Sequence, residues 1–175
     1  MIIIFLDIDG VLNSDCFFLK RVRNMKNLRM FNTDLINEND VKVIDSLCEI
    51  DLDNLDILVD ITNITDSKVV ITSSLKNNPW FNGVCKHLIN YGLPIVGSTK
   101  DNAYNRGFGI KEYIKNNNIE NYVVLDDEVF GDYDEEILSH LIRTKAYDSG
   151  LDVNDREKIL KILGMERKYE YKKIK

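Results

Sequence analysis

IIIFLDIDGVLN, residues 2–13, sets five apolar residues directly before two carboxylates, Asp7 and Asp9, which flank a single isoleucine. A short, uninterrupted apolar run is typical of a strand that is buried on both faces of a parallel sheet. In such sheets, ligands bind outside the carboxyl ends of the strands. The stretch therefore predicts a central strand whose carboxyl end carries two acids at a binding site.

Further short apolar runs alternate along the chain with segments of helical periodicity. They predict strands at residues 2–6, 69–71, 94–97 and 122–125, and helices at about 37–49, 80–91, 107–117, 134–142 and 152–163. Strands that alternate with helices indicate a parallel sheet covered by helices on both faces. At 175 residues the chain is long enough for one such domain, which we expect over residues 1–165, with a basic tail at 166–175.

Polar side chains follow three of the predicted strands at the point where each strand ends. Asp7 follows the first strand, Asp126 and Asp127 end the fourth, and the hydroxyls of residues 72–74 follow the second. If these strands are parallel neighbours, their ends converge on one pocket. Clustered carboxylates repel each other unless a cation or protons neutralise them, so the pattern predicts a site for a hard cation such as Mg²⁺.

The composition argues against several other classes of protein. Three widely spaced cysteines (Cys16, Cys48 and Cys85) and two histidines (His87 and His140) favour neither a disulfide framework nor a zinc site. The net charge of −6 argues against a protein that coats nucleic acid, although residues 20–29 and 167–175 hold five basic side chains each. No apolar run reaches the roughly 20 residues that cross a membrane, and the apolar start lacks the features of a signal peptide. We therefore expect a cytoplasmic protein without a membrane partner.

Acids at strand ends can perform phosphoryl transfer. A carboxylate can attack a phosphoryl group to form an aspartyl-phosphate. Repulsion between the two anions opposes this step, and a magnesium ion together with a cationic side chain removes that repulsion. In this interpretation Asp7 is the nucleophile, while Asp9 protonates the leaving oxygen and then activates the hydrolytic water.

Several motifs resemble those of the haloacid dehalogenase (HAD) superfamily. FLDIDGVLN is similar to its first motif, KVVITSS to its second and YVVLDDE to its fourth, in the same order. IVGST, RGFGIKEYI and YDSGLDVND further resemble the small HAD domains of nucleic-acid (RNA) repair proteins, although Leu75 and Lys76 stand where those domains more often have Trp and Arg. The resemblance covers residue 2 to about 163. It implies a Rossmann-like three-layer α/β/α sandwich with phosphatase activity.

The resemblance also implies roles for the acids. It makes Asp7 the nucleophile and Asp9 the acid/base catalyst, and it places Mg²⁺ on Asp7, the backbone carbonyl of Asp9 and Asp127, with Asp126 nearby. Because HAD ATPases replace the second Asp of the first motif, its presence here implies rapid dephosphorylation.

Other polar residues would contact the phosphoryl group. The resemblance assigns this contact to Ser73, but Thr72 ends the strand as plausibly, and Ser74 is a further substrate-binding hydroxyl. The third motif requires a Lys or an Arg. Arg106 is the first choice because it precedes a helix that leads into the fourth strand; Lys100 is second and Lys111 third.

The spacing between motifs leaves no room for a cap domain. About 65 residues separate Asp7 from Ser73 and about 30 separate Ser73 from Arg106, which the expected helices and strands use up. Uncapped sites in this superfamily tend to serve large substrates. We expect a phosphomonoesterase that acts on a terminal phosphate of DNA or RNA, with free nucleotides, small phosphoesters and phosphoproteins as alternatives. The basic run at 20–29 either lies at the mouth of the pocket or is a solvated surface segment.

Non-enzymatic interpretations are less consistent with the order of the motifs. Receiver domains also gather Asp, Thr and Lys at strand ends as a phospho-Asp regulatory module, but there the acidic pair comes early and the nucleophile comes mid-chain. A degenerate HAD domain is disfavoured because all four acids are present, and an EF-hand because a third acid and a terminal Glu are missing. For Asn13, Asp132 and Asp134 we expect turn and cap roles. The sequence does not predict the oligomeric state.

Overall fold

A computed structural model describes residues 1–19, 41–100 and 105–165 of the chain. The strands are β1 Ile2–Leu6, β2 Lys68–Ile71, β3 Ile95–Ser98, β4 Asn121–Asp126 and β5 Leu141–Arg143. The helices are α1 Asp15–Leu19, α2 Val41–Cys48, α3 Leu52–Thr65, α4 Phe81–Tyr91, α5 Arg106–Asn117, α6 Glu135–Ser139 and α7 Val153–Ile162, with a 3-10 helix at Ser74–Asn77.

The five strands form one parallel sheet in the order β3-β2-β1-β4-β5. Strand β1 is central, as its apolar sequence predicts. Leu6 pairs with Ile71 of β2 and with Leu125 of β4, so the carboxyl ends of the three strands lie side by side. This register places the polar residues that follow each strand at one edge of the sheet.

Alternate residues of β1 face two separate apolar layers, because successive side chains in a strand point to opposite faces. Ile4 and Leu6 pack in a core cluster with residues of α2, α3, α4 and α7. Ile3 and Phe5 pack in the other, with Ile110 of α5 and Ile137 of α6. The prediction of a three-layer α/β/α sandwich is therefore confirmed.

Several elements differ from the sequence prediction, which contains neither α1 nor the 3-10 helix at Ser74–Asn77. Helix α3 is absent from it, because the apolar residues of this segment lie on several sides of the helix and produce no single stripe. The predicted helix at 134–142 is wrong at its end: α6 stops at Ser139, and Leu141–Arg143 form the edge strand β5, in which Ile142 pairs with Leu125. A strand of three residues is too short to show a periodicity of its own.

Several further expectations concern absences or undescribed residues. The described residues contain no separate cap domain, and among them no helix combines the length and apolarity needed to cross a membrane. No disulfide joins the three cysteines. The basic run at 20–29, the tail at 166–175 and the predicted start of a helix at 37–40 lie outside the described residues.

Candidate active site

A tight turn after β1 buries Asp7 and leaves Asp9 exposed. Asp7 is 5% exposed, and its Oδ1 accepts a hydrogen bond from the backbone N–H of Ile8 at 2.9 Å. Asp9 lies in the exposed part of the turn. Asn13 holds both the turn and the acid, since its Oδ1 accepts from the N–H of Gly10 at 2.8 Å while its Nδ2 donates to Oδ1 of Asp9 at 3.1 Å. Asn13 thus has the predicted turn role and also contacts Asp9.

Gly10 lets this turn approach the end of β4 closely. Its φ of +71° belongs to the left-handed region that glycine adopts without strain. A Cβ atom at this position would lie 2.5 Å from Cγ of Asp127. On the other side, Oγ1 of Thr144 donates to the carbonyl of Gly10 at 2.8 Å. The turn is therefore packed directly against one of the acids of the fourth motif.

Arg106, the first residue of α5, joins two of the buried acids. Its Nη1 lies 2.8 Å from Oδ2 of Asp7 and 2.6 Å from Oδ2 of Asp126, and the guanidinium carbon lies 4.3 Å from the ring centroid of Phe130. Burial lowers the pKa of Arg106, but the Asp7 and Asp126 carboxylates outweigh it and raise the pKa overall. Arg106 therefore stays cationic beside the proposed nucleophile.

Asp126 is fully buried and has several donors. Besides Arg106, the hydroxyl of Tyr133 donates to its Oδ2 at 2.9 Å, and the N–H of Glu128 donates to its Oδ1 at 3.0 Å. Burial and the negative charge of Asp7 raise the pKa of Asp126, while Arg106 opposes this shift. Phe130 and Tyr133 were not predicted to belong to the site, because neither residue type nor spacing marks them in the sequence.

Asp7, Asp126 and Asp127 form a group that fits a divalent cation. One carboxylate oxygen from each lies within 4.8 Å of the others. Burial and the nearby charge of Asp7 raise the pKa of Asp127, so this pair carries repulsion that a cation would relieve. Oxygen ligands of this kind suit Mg²⁺.

The end of β2 presents three hydroxyls in different settings. Oγ1 of Thr72 is buried and has no hydrogen-bond partner among the described residues. Oγ of Ser73 accepts a long hydrogen bond, 3.4 Å, from the N–H of Leu75 and thereby caps the 3-10 helix. Ser74 is exposed, and Nζ of Lys76 donates to the carbonyl of Thr72 at 2.8 Å. A buried hydroxyl without a partner is unfavourable unless a ligand binds it, which favours Thr72 over Ser73.

The other two basic residues predicted for the third motif lie elsewhere. Lys111 forms an exposed ion pair with Asp134, 2.5 Å between Nζ and Oδ2. Lys100 lines a cavity with Glu112 and Tyr113 on α5. Of the three predicted cations, Arg106 is the one that the structure brings to the acids.

The cap roles expected of two acids are found. Asp134 caps α6, since its Oδ1 accepts from the N–H of Ile137 at 3.1 Å. Asp132 accepts a hydrogen bond from the N–H of Phe108 at 2.9 Å, in the first turn of α5. Both residues thus stabilise elements that surround the site.

A cavity of about 320 Å³ adjoins Asp9. Its lining includes apolar side chains from the 3-10 helix region and α4, and polar ones from α2. Burial, followed by the charges of Asp9 and Asp45, raises the pKa of Glu49 in this lining, so three carboxylates lie close together here. No motif at a strand end contains Glu49 or Trp80, so the sequence does not mark either residue as part of the site.

Comparison with known proteins yields one match. A family model described as the HAD domain in Swiss Army Knife RNA repair proteins matches residues 3–155. No curated protein and no solved structure matches the chain significantly. The matched segment includes Arg106 and all four acids at the strand ends.

Proposed function

The chain belongs to the family of HAD domains in Swiss Army Knife RNA repair proteins, and from this membership and the site geometry we propose that it is a magnesium-dependent phosphomonoesterase. It acts through an aspartyl-phosphate on the terminal phosphate of a nucleic-acid strand. The observation that carries the proposal is the contact of Arg106 with Asp7, 2.8 Å long and buried, at the end of the central strand and close to Asp127. A nucleophile held beside a cation is what attack on a phosphoryl group requires.

In the first step, a carboxylate oxygen of Asp7 attacks phosphorus, and the bond between phosphorus and the leaving oxygen breaks. Asp9, in its acid form, gives its proton to that oxygen. Its exposed position and its hydrogen bond from Asn13 support this assignment, because the acid must reach an oxygen that points away from the nucleophile. Arg106 stabilises the charge that spreads over the phosphoryl oxygens.

In the second step, water attacks phosphorus of the aspartyl-phosphate. Asp9, now a carboxylate, takes a proton from this water, and orthophosphate leaves Asp7 as a free carboxylate. A general base in this position contributes about 10²–10⁴-fold to the rate. The presence of Asp9 therefore supports a phosphatase that turns over instead of storing its phosphoryl group.

A magnesium ion would be held by Asp7, Asp127 and the backbone carbonyl of Asp9. When bound, it neutralises charge on the phosphoryl oxygens and on the acids. We assign Asp126 mainly to Arg106, because its two oxygens already accept hydrogen bonds from Arg106, Tyr133 and Glu128. Thr72 and Ser73 follow β2, the strand that pairs with β1, and Thr72 is the proposed phosphoryl ligand.

The substrate assignment is supported by two observations. The family model is described by its occurrence in RNA repair proteins. The described residues contain no separate cap domain, which is the arrangement expected for a large substrate such as the end of a polymer. A phosphorylated DNA or RNA end is therefore the proposed partner, with free nucleotides or phosphoproteins as the alternatives that the experiment separates.

Phosphate release tests the proposal. We expect magnesium-dependent release from 3′- or 5′-phosphorylated oligonucleotides that is faster than from a generic aryl phosphate, and none from Asp7→Asn. Asp66→Asn is the matched control, because Asp66 is an exposed acid at the end of α3 whose backbone conformation Asn tolerates. Phosphate release from the aryl ester alone would contradict the assignment of a nucleic-acid substrate. No release from any ester would favour a regulatory or binding module.

A further inference from the structure

The cavity beside Asp9 lies on the side of the site where the proposed chemistry places the leaving group. Asp9 gives its proton to the leaving oxygen, so the group attached to that oxygen must lie on the Asp9 side of the phosphoryl site. The cavity of about 320 Å³ has Asp9 and Asn13 in its wall. Its volume is at the lower end of the range of small-molecule sites, about 300–1,000 Å³. It is therefore placed and sized to receive one unit of a leaving group.

One wall of the cavity is apolar and aromatic. Trp80 lies here, half-buried, with its neighbour Phe81 at a ring-centroid distance of 6.3 Å in an edge-to-face arrangement. Ile8 and Leu75 extend the same wall. An indole that is fixed by neighbouring side chains yet still lines a cavity is a surface on which a flat ring can stack.

The part of the lining that comes from α2 is polar and mostly negative. It consists of Lys42, Asp45, Ser46 and Glu49 from α2 and the residue that follows it. With Asp9 included, carboxylates outnumber the single cation of the lining, which disfavours a leaving group that carries further negative charge inside the cavity. Carboxylates accept hydrogen bonds from hydroxyl groups, so this part of the lining suits an uncharged group that carries a free hydroxyl.

A nucleoside combines a flat ring with a hydroxyl-bearing sugar. We propose, on the basis of the proposed function, that this cavity is the leaving-group site and takes the terminal ribonucleoside, with the base on Trp80 and the free 2′-hydroxyl of the sugar donating to Glu49. The site then selects an RNA end through the 2′-hydroxyl and the base together. A phosphoserine or phosphothreonine peptide would offer neither the ring nor the vicinal hydroxyl, and a phosphotyrosine peptide would offer a ring without that hydroxyl.

The chain offers a direct probe, because Trp80 is its single tryptophan. The Asp7→Asn protein with Mg²⁺ is titrated with adenosine 3′- or 5′-monophosphate while tryptophan fluorescence is followed. We expect saturable quenching by at least one nucleotide and none by inorganic phosphate. The 2′-deoxy form should bind about tenfold more weakly, and Glu49→Gln should bring the two forms close to parity.

Variants in two cavities test which of the two binds the leaving group. Tyr147, which is 86% exposed, lines a second cavity of about 510 Å³ beside Asp127. Trp80→Leu should lower kcat/KM for a phosphorylated oligoribonucleotide about tenfold more than for acetyl phosphate, which has no ring. Tyr147→Leu should change the two substrates alike. Trp80→Phe retains an aromatic ring. It should therefore recover part of the selective loss in kcat/KM that Trp80→Leu causes.

The possible outcomes test the nucleoside site and the phosphatase activity separately. Magnesium-dependent phosphate release without quenching by nucleotides would overturn the inference and leave the phosphatase in place. A selective loss in Tyr147→Leu instead of Trp80→Leu would place the strand in the other cavity and also overturn it. Quenching with the expected 2′-hydroxyl preference, but without phosphate release from any ester, would support the nucleoside site and reject the phosphatase.

Discussion

Nη1 of Arg106 lies between two acids, 2.8 Å from Oδ2 of Asp7 and 2.6 Å from Oδ2 of Asp126. One guanidinium therefore serves both the proposed nucleophile and a buried acid of the neighbouring strand. With Asp127 included, three carboxylates and one guanidinium leave two negative charges uncompensated, which is the charge that one divalent cation neutralises. Asp7 thus links Arg106 to the proposed metal site.

Arg106→Ala should both inactivate and destabilise the protein. Removal of the guanidinium leaves two buried carboxylates without their cation, which costs about 3–5 kcal/mol when a buried pair is broken. We expect a lower urea midpoint for this variant, recovered in part by Mg²⁺, together with loss of phosphate release. Lys111→Ala is the control, since its ion pair with Asp134 is exposed to solvent and contributes little to stability. An Arg106→Ala protein as stable as the wild type would contradict this account of the cluster.

Thr72→Val and Ser73→Ala should separate the two hydroxyls of the second motif. Thr72→Val replaces a buried hydroxyl that has no partner among the described residues by a methyl group of similar size, so we expect unchanged or higher stability. If Thr72 binds the phosphoryl group, kcat/KM for phosphate release falls about 10-fold or more in the same variant.

Ser73→Ala removes a long hydrogen bond, 3.4 Å, at the start of the 3-10 helix. We therefore expect a stability loss below about 1 kcal/mol and a smaller effect on phosphate release than in Thr72→Val. Urea unfolding and initial rates on both proteins supply the comparison. A greater rate loss in Ser73→Ala would assign the phosphoryl contact to Ser73.

The central part of the fold follows from local sequence features. The apolar run before Asp7 predicts a central strand, and the polar residues after three strands predict one shared site; the parallel register then brings Asp7 and Asp126 to a single guanidinium. These inferences succeed because strand burial and strand direction decide where the residues after a strand lie.

Features that depend on tertiary packing did not show in the sequence. The contacts of Tyr133 and Phe130 with the Asp126–Arg106 pair arise from a loop after β4 that has no periodicity. Helix α3 has no single apolar stripe because α7 packs against it as well as the sheet. Trp80 and Glu49 meet at one cavity although α2 and α4 are far apart in sequence.

Gly10→Ala should weaken both the fold and the metal site. The position has φ +71°, and the added Cβ would lie 2.5 Å from Cγ of Asp127. The left-handed conformation alone costs about 1–2 kcal/mol for a residue with a side chain. We expect a loss of at least that size in the free energy of unfolding, measured in urea, and a higher Mg²⁺ concentration for half-maximal phosphate release.

Gly164→Ala is the matched control for that experiment. Gly164 has a similar φ of +68°, but a Cβ atom there would meet no atom of the described residues within 4 Å. Its substitution should show the conformational cost without a change in the magnesium requirement. Equal magnesium requirements in the two variants would mean that the turn does not position Asp127.

Asp152→Asn should reveal how a helix cap depends on pH. Partial burial favours the neutral acid, but hydrogen bonds from the N–H groups of Asp155 (3.0 Å) and Asn154 (2.7 Å) outweigh it and lower the pKa of Asp152. A pKa lowered by folding contributes stability above the unfolded value, about 3.9, and this contribution disappears as the pH falls through the folded value. Urea unfolding at pH 7 should therefore show a wild type more stable than Asp152→Asn, with the difference shrinking below about pH 4. Asp152→Ala also loses the cap acceptor and should cost about 1 kcal/mol at pH 7. A wild-type advantage over Asp152→Asn that stayed constant with pH would show that the charge of Asp152 contributes nothing to the start of α7.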